Sequence, residues 1–282
     1  ATIVSGELSI RSYLVGGYVR DLILNRKTTD IDIMVEGDSI LFAKKLADKL
    51  NVDNIVIYEK FQTALIPLKE MQIEIASART EEYDLDSRKP RVKSTTIEQD
   101  LSRRDFTINS IALSLNENDY GTIIDPFNGI QDIEKEIIKT PIDANETLKE
   151  DPLRMLRAIR FAAQLNFKIE PDVIDGIKKQ RDRLEIISWE RITEEIIKSL
   201  KTEKPSIAFY LFKETNLLSY IFPEIDIMPG IDVIDGLGHK DVFIHTLQVV
   251  DNAAELTDKM DIRFAALVHD IAKPNTKKFI PK

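Results

Sequence analysis

The stretch of sequence that decides the fold reads Leu14-Val15-Gly16-Gly17-Tyr18-Val19-Arg20-Asp21, followed after a short gap by Asp30-Ile31-Asp32-Ile33-Met34-Val35. The first part predicts a strand, a glycine turn and the start of a helix. Two glycines let the backbone approach a ligand closely, and the amides at the start of the next helix favour phosphate. Arg20 would pair with the same phosphates. A turn without a ligand is the alternative interpretation of this part alone.

The second part places two carboxylates one residue apart in a predicted strand. Alternate residues of a strand share a face, so Asp30 and Asp32 point the same way while Ile31 and Ile33 enter the core. Two carboxylates on one face repel each other unless a cation lies between them, and a divalent metal meets that need. The pattern predicts that Asp30 and Asp32 are metal ligands; an exposed acidic strand is the alternative.

A third acidic residue, Glu74, alternates with Ile73 and Ile75 in a later predicted strand. If that strand neighbours the first, three catalytic carboxylates would hold two Mg²⁺ ions. One ion would activate a primer 3′-hydroxyl, and the other would bind a triphosphate and the leaving pyrophosphate. Positioning and charge neutralisation would then supply most of the catalysis. Glu74 as a solvent-facing strand residue is the alternative.

Further motifs follow in a fixed order along the chain. They are Arg103-Arg104-Asp105-Phe106-Thr107-Ile108-Asn109, Asp125-Pro126-Phe127-Asn128-Gly129 with Asp132, the segment 150–161, and Ser188-Trp189-Glu190-Arg191-Ile192. Together with the glycine turn and the aspartate pair, they resemble the class II tRNA nucleotidyltransferase and bacterial poly(A) polymerase family, within the DNA polymerase beta superfamily. The resemblance covers roughly residues 12 to 200.

The resemblance implies an α+β fold, with a DNA polymerase beta-like nucleotidyltransferase head followed by an all-helical neck and body. It also implies roles for residues of the segment 103–109. Asp105 would accept a hydrogen bond from the ribose 2′-hydroxyl, Arg104 would contact the nucleotide, and Asn109 would fix the local backbone. Ordinary surface arginines are the alternative for the pair Arg103 and Arg104.

The segment 150–161 predicts a helix with a charged face. Asp151 is a helix N-cap before a proline at the first helical position, and Arg154, Arg157 and Arg160 recur every three residues. Leu153, Leu156 and Phe161 would face the core. By itself this pattern is also typical of an amphipathic helix with its arginines in water. The resemblance implies instead that Asp151 and Arg154 read the base edge. Arg157 and Arg160 would reach the triphosphate or hold that pair in place.

The sequence pattern divides the chain into three regions. They are a nucleotidyltransferase head over 1–140, a helical neck and body over 141–228, and a helical region over 229–282. Within the head, the periodicity of Ser39 to Leu50 predicts a helix with one buried stripe of Ile40, Leu41, Ala43, Leu46 and Leu50. The basic loop from Tyr83 to Thr96 suggests a mobile flap over a phosphate substrate or, alternatively, a solvated connection.

The last region contains all three histidines of the chain. His239, His245 and the pair His269-Asp270 resemble the opening of an HD-domain metal site, whose ligand types suit a hydrolytic metal centre. That pattern needs a later aspartate, and none follows Asp270. We therefore expect the chain to end inside an HD domain. A helical remnant whose histidines bind no metal is the alternative.

The bulk composition fits a cytoplasmic enzyme that binds its partner at defined points. The 282 residues contain no cysteine and carry a formal net charge of −9, which argues against nonspecific coating of nucleic acid. No apolar run is long enough for a membrane helix.

The predicted function is addition of C, C and A from CTP and ATP to the 3′ end of immature tRNA. CC-adding, A-adding and poly(A)-adding enzymes are the alternatives within the family. Outside it, the alternatives are an HD phosphohydrolase with a regulatory head and a silent tRNA-binding module.

Overall fold

The computed structural model describes residues 1–82, 91–229, 233–234, 237–238 and 241–276, and the strand residues at the edges of the gaps by their backbone alone. It divides into two compact units. The first contains Ala1–Lys135 with Lys139–Ile142, and the second contains Glu136–Ile138 with Asp143–Lys282. No helix within the described ranges has the length and apolar character needed to cross a membrane.

The first unit is built on a mixed seven-stranded sheet of order β3-β4-β5-β2-β1-β8-β9. Its strands are β1 Arg11–Val15, β2 Asp30–Glu36, β3 Val56–Tyr58, β4 Thr63–Pro67, β5 Gln72–Ser77, β8 Ala112–Ser114 and β9 Ile123–Ile124. The pair β2 and β5 is parallel, and the other neighbours are antiparallel. Between β5 and β8 in the chain, β6 Arg79–Glu82 and β7 Arg91–Ser94 form an antiparallel ribbon.

Among the residues that the structure describes in this unit, five α-helices accompany the sheet: α1 Thr2–Leu8, α2 Gly17–Ile23, α3 Ser39–Leu50, α4 Ile97–Ser102 and α5 Gly129–Glu134. Short 3₁₀ turns span Glu59–Phe61, Thr107–Asn109 and Glu117–Asp119. Helix α3 begins where the Asp38 carboxylate accepts the amides of Ile40 and Leu41, and it ends at Asn51, whose φ is 55°. Its predicted bounds are therefore confirmed.

The predicted buried stripe of α3 was partly wrong. Leu41 and Leu50 are 44% and 40% exposed, whereas Phe42 is fully buried. The buried face also carries Ser39, Ala43, Leu46 and Ala47. Small residues thus share the buried face with Phe42 and Leu46, and two of the predicted leucines, Leu41 and Leu50, lie outside it.

Alternation along the strands gives the sheet two apolar clusters, one on each face. On one face, Ile33, Ile73 and Ile75 pack with Phe42 of α3. On the other face, Met34 and its neighbours on β1 pack with residues of α4. Strand β2 is buried from Ile33 to Val35 but open at its start, where Asp30 is exposed and Asp32 is partly buried. The sheet thus buries its apolar residues and presents its acidic ones at one end of β2.

The second unit is helical. Its helices are α6 Ala144–Glu150, α7 Leu153–Leu165, α8 Pro171–Gln180, α9 Trp189–Leu200, α10 Ser206–Glu214, α11 Leu218–Ile221, α12 Pro223–Asp226, α13 Val242–Leu256, α14 Met260–Val268 and α15 Lys273–Thr276. A 3₁₀ turn spans Arg181–Ile186. Two short ribbons join β10 Ile137–Ile138 to β11 Lys168–Ile169, and β12 Val233–Ile234 to β13 Leu237–Gly238. Leu153, Leu156 and Phe161 are buried, as predicted. An α+β head followed by a helical body is confirmed.

Candidate active site

Three carboxylates occupy one face of the sheet of the first unit. Strands β2 and β5 pair in a register that sets Asp32 opposite Glu74, and Asp30 opposite Gln72. Residues at paired positions point to the same side of a sheet, and residues two apart on a strand do so as well. Asp30, Asp32 and Glu74 therefore share a face, while Ile33, Ile73 and Ile75 fill the core on the opposite face.

The environment of Asp32 disfavours its ionised form. Burial, and then the negative charge of Glu74, raise the pKa of Asp32 to about 6. Asp30 adds to this effect, whereas the guanidinium groups of Arg104 and Arg20 oppose it. The site thus contains a carboxylate whose charge the two arginines do not fully compensate.

The donor set fits a divalent cation. Carboxylate oxygens are the ligands that Mg²⁺ prefers, and this ion is usually held by one or two carboxylates together with water and substrate phosphate. In the parts of the chain with described side chains, the oxygens of Asp30, Asp32 and Glu74 do not all lie within 4.8 Å of one another. The uncompensated charge at Asp32 is the feature that a cation would relieve.

The glycine turn lies beside this pair of aspartates. Gly16 adopts φ 70° and ψ −138° between β1 and α2, a conformation that favours glycine. A Cβ atom at Gly16 would lie 2.7 Å from Nη1 of Arg104 and 3.6 Å from Oδ2 of Asp32. Three segments far apart in the sequence therefore meet at one point. Phosphate binding by Gly16, Gly17 and Arg20, and contact of Arg104 with the nucleotide, stay predictions.

Arg20 is part of a buried hydrogen-bond network. Its side chain is 4% exposed, donates from Nε to Asp21 at 2.9 Å, and donates from Nη1 to Oδ1 of Asn109 at 2.8 Å. The Asn109 amide in turn donates to Oδ1 of Asp105 at 3.0 Å, and so does the backbone amide of Phe106 at 2.8 Å. Arg20 thus positions Asn109 and, through it, Asp105. No pattern in the sequence around Arg20 indicates this positioning contact.

Asp151 lies at the start of α7, in the second unit. Its Oδ1 accepts the Leu153 amide at 3.1 Å, and Pro152 already has helical dihedral angles, so the carboxylate caps the helix. Its Oδ2 accepts from Nη2 of Arg191 on α9 at 3.1 Å. Arg154 donates from Nη1 to the Thr147 carbonyl and to Glu150, each at 3.1 Å. The sequence reasoning assigned no role to Arg191 or Glu150, which orient the two predicted base-reading side chains.

The remaining two arginines of α7 differ from each other. Arg160 is 8% exposed and donates from Nε to the buried Glu195 of α9 at 2.6 Å and from Nη1 to Gln164 at 2.8 Å. The Arg157 guanidinium lies 5.3 Å from the centroid of the Phe161 ring. The contacts of Arg160 join α7 to α9. Contact of Arg157 and Arg160 with the triphosphate, or with Asp151 and Arg154, stays a prediction.

A separate cluster contains His245, His269 and Asp270, whose ligand atoms all lie within 4.8 Å of one another. Nε2 of His269 is 3.2 Å from Oδ2 of Asp270, and Nζ of Lys273 is 2.6 Å from the same oxygen.

The predicted partner His239 and residues 83–90 of the predicted flap lie outside the described residues. Residues 91–94 of that segment form β7.

Three family models match the chain in sequence. They are the poly A polymerase head domain over residues 12–139, the probable RNA and SrmB-binding site of polymerase A over 166–228, and the HD domain over 242–282. A solved tRNA-processing enzyme in its apo form 2 is 30% identical with a TM-score of 0.76, and the match covers 98% of this chain and 73% of that one. The chain belongs to the class II tRNA nucleotidyltransferase and bacterial poly(A) polymerase family.

Two other relatives match most of this chain in sequence. It is 33% identical over 264 residues to the A-adding tRNA nucleotidyltransferase of Geobacter sulfurreducens, and 35% identical over 283 residues to the multifunctional CCA protein of Shewanella frigidimarina. The matches cover 93% and 95% of this chain, but 28% and 64% of those two relatives. The chain thus spans only part of the length of each.

A second solved member of the family is a tRNA nucleotidyltransferase crystallised with a primer tRNA and an incoming ATP analog. It is 28% identical with a TM-score of 0.78, and the match covers 95% of this chain and 75% of that one. The three carboxylates and the glycine turn of the present chain all lie inside the head-domain match.

Proposed function

We propose that this chain carries the catalytic and nucleotide-selecting parts of an enzyme that extends the 3′ end of immature tRNA without a template. It adds C, C and A from CTP and ATP and releases pyrophosphate. The observation that carries the proposal is the pairing of Asp32 with Glu74 beside the Gly16 turn. The solved family member with primer tRNA and an ATP analog supports the substrate class.

Each reactant has a matching group in the first unit. Asp30 and Asp32, with Glu74, would hold Mg²⁺, which supplies Lewis-acid activation of a hydroxyl and neutralises phosphate charge when bound. Arg104 and the turn at Gly16 and Gly17 would hold the triphosphate beside them. Asp105, oriented by Asn109, would accept a hydrogen bond from the ribose 2′-hydroxyl. These groups orient the reactants, which is the main contribution a protein makes to nucleotidyl transfer.

Base selection would belong to Asp151 and Arg154 in the second unit, because an adjacent acceptor and donor can replace the edge of a template base. Arg191 and the Arg154 partner Glu150 hold these side chains in one arrangement. Both pairs are partly exposed, so a change of rotamer requires little free energy. One arrangement for CTP and another for ATP are therefore compatible with the same residues.

Addition of the terminal A alone is a second candidate, because the Geobacter relative is an A-adding enzyme. The test is to incubate the intact protein with two tRNA transcripts, one lacking all three terminal nucleotides and one ending in CC. Each is given labelled CTP, ATP or both. A CCA-adding enzyme extends the first transcript with two C and then one A. Extension of only the CC-ending transcript, by a single A, would establish the second candidate.

Two further outcomes would reject the CCA assignment: incorporation of C without A, and synthesis of long A tracts. The matched control is Asp32→Ala. It should abolish transfer and leave tRNA binding within about twofold, because a carboxylate that holds a catalytic cation contributes little to RNA affinity. Substantial transfer by Asp32→Ala would reject the proposed site.

A further inference from the structure

The carboxylate face of the sheet continues into an exposed apolar surface on β4 and β3. The register sets Leu65 opposite Glu74, and Val56 opposite Leu65, so all three point to the face of the carboxylates. Tyr58, opposite Thr63, lies on this face as well. Large apolar groups left exposed beside one another on a sheet mark a binding surface.

Two aromatic rings dominate this surface. Tyr58 is 50% exposed, and Phe61, in the turn between β3 and β4, is 51% exposed. Together with Thr63, Leu65 and Glu74 they line a depression of about 440 Å³, a volume within the range of pockets that hold small organic groups. Glu74 thus belongs both to the carboxylate set and to the wall of the aromatic depression.

The sheet order places this depression on a defined side of Asp32. Strand β1, which leads into Gly16, neighbours β2 on one side, and β5, β4 and β3 follow on the other. In an in-line transfer the attacking and leaving oxygens lie on opposite sides of the reacting phosphorus. The groups that suit a triphosphate, Gly16 and Arg104, lie on the β1 side. If the triphosphate binds on the β1 side, the acceptor RNA would approach from the side of Glu74 and the two rings.

We propose that Tyr58 and Phe61 form a stacking platform for the unpaired bases at the 3′ end of the acceptor RNA, and that this platform brings the terminal hydroxyl to the carboxylates. The proposal rests on the proposed function. Aromatic stacking tolerates any base, because every base has a π-face. Such tolerance suits an acceptor whose terminal base changes with each addition. Nζ of Lys60 lies 5.6 Å from the Phe61 ring centroid, where it would meet a backbone phosphate.

The test compares acceptor and nucleotide affinities of ring variants in the intact protein. Tyr58→Ala and Phe61→Ala should each raise the KM for acceptor tRNA about tenfold and leave the KM for CTP and ATP within about twofold. Phe61→Tyr should bind acceptor like the parent protein, whereas Phe61→Leu, which keeps the bulk but has no π-face, should behave like Phe61→Ala. The matched control is Tyr120→Ala, since Tyr120 is 66% exposed in the same unit and lies outside the depression.

A modified acceptor separates stacking from a change in the protein. An acceptor with an abasic terminal nucleotide should bind the parent protein about tenfold more weakly than the unmodified acceptor does. The two acceptors should bind Phe61→Ala with equal affinity. A terminal 2-aminopurine should lose fluorescence on binding to the parent protein and keep it on binding to the alanine variants. Thermal unfolding of each variant identifies any that fails to fold, and Phe61→Leu then decides the outcome.

Two results would overturn the platform. One is an unchanged acceptor KM in both alanine variants. The other is a rise in the KM for CTP and ATP alone, which would assign the depression to the incoming nucleotide. Failure of the proposed function is distinguishable, since it appears in the products that the parent protein makes or as transfer retained by Asp32→Ala, and neither readout depends on the two rings. Loss of transfer in Asp32→Ala together with parent-like acceptor binding by the ring variants would reject the platform and leave the carboxylate site in place.

Discussion

Asp32 and Glu74 are register partners on the parallel strands β2 and β5, and the charge of Glu74 helps to raise the pKa of Asp32 to about 6. Burial is the larger cause of this rise. A partly buried carboxylate with a second acidic residue opposite it on the adjacent strand would be a poor choice for stability alone, because burial and the neighbouring charge both disfavour its ionisation. The arrangement is typical of a site that trades stability for the ability to hold a cation.

The first prediction concerns stability in the absence of divalent metal. Because the pKa of Asp32 is about 6 in the folded protein and 3.8 when unperturbed, the folded state holds its proton more tightly. This contribution to stability is complete below pH 3.8 and is lost as the pH rises through 6. Asp32→Asn, which remains neutral, should therefore raise the free energy of unfolding by about 1–2 kcal/mol at pH 8 in EDTA, after allowance for solvent screening, and have little effect near pH 3.5. Urea unfolding at the two pH values measures the difference, and an equal effect at both would contradict the assigned cause.

The second prediction concerns Mg²⁺. A ligand that binds only the folded state stabilises it in proportion to the logarithm of its concentration over Kd. Millimolar Mg²⁺ should therefore raise the melting temperature of the parent protein at pH 8 and have little effect on Asp32→Asn. The control is Asp38→Asn, because Asp38 caps α3 and takes no part in the site. An equal Mg²⁺ response in the parent protein and in Asp32→Asn would remove Asp32 from the metal ligands.

The third prediction concerns Gly129, at the start of α5. A Cβ atom there would lie 2.1 Å from the Thr107 carbonyl oxygen and 2.8 Å from Cγ1 of Ile111. Backbone cannot yield as a flexible side chain can, so Gly129→Ala should lower the free energy of unfolding by about 2–3 kcal/mol. The control is Gly6→Ala in α1, where no atom lies within 4 Å and alanine should stabilise the helix by about 0.5–1 kcal/mol. Similar stabilities of the two variants would show that α5 can move away from the 107–109 turn.

The sequence was sufficient to predict the parts of the site that depend on local alternation. The period of two in β2 fixed the common face of Asp30 and Asp32, because burial of Ile33 leaves only one orientation for the strand. Glu74 needed one further fact, the neighbour of its strand, and the register with β2 supplied it. Local alternation thus predicted the shared face of the two aspartates, and strand pairing placed the third carboxylate on the same face.

Contacts between distant segments could not be predicted in the same way. The Arg20 bond to Asn109 joins residues 89 positions apart, and the Arg160 bond to Glu195 joins residues 35 apart. An arginine on a helix is ordinarily solvated, and nothing in its own neighbourhood in the sequence reveals a buried partner. The exposed face of β3 was hidden for a related reason. Which side of that strand Tyr58 occupies depends on its pairing with β4.

The fourth prediction concerns the choice of base. Arg154 is held by the Thr147 carbonyl and Glu150 and lies one turn from the carboxylate of Asp151. Arg154→Ala should reduce the discrimination between CTP and ATP by about tenfold or more, because one donor to the base edge is lost, and should slow transfer of the preferred nucleotide less. Competition assays with both nucleotides measure this ratio. The control is Arg181→Ala, because Arg181 is a partly exposed arginine in the same unit. An unchanged ratio in Arg154→Ala would remove Arg154 from base selection.

The fifth prediction concerns two ion pairs that join the same helices. Glu195 and Arg191 lie one turn apart on α9; Glu195 binds the buried Arg160 of α7, and Arg191 binds Asp151 at the start of α7. Glu195→Ala leaves the Arg160 guanidinium buried without its carboxylate, so the free energy of unfolding should fall by about 3–5 kcal/mol. The double variant Arg160→Met with Glu195→Leu should recover most of that loss, since it removes both buried charges. The choice between CTP and ATP distinguishes a role of the Arg160–Glu195 pair in stability from a role in aligning α7 with α9. If the pair aligns the two helices, the stable double variant should still discriminate CTP from ATP less well than the parent protein. Full discrimination in that variant would show that the Asp151–Arg191 pair orients the base-reading residues by itself.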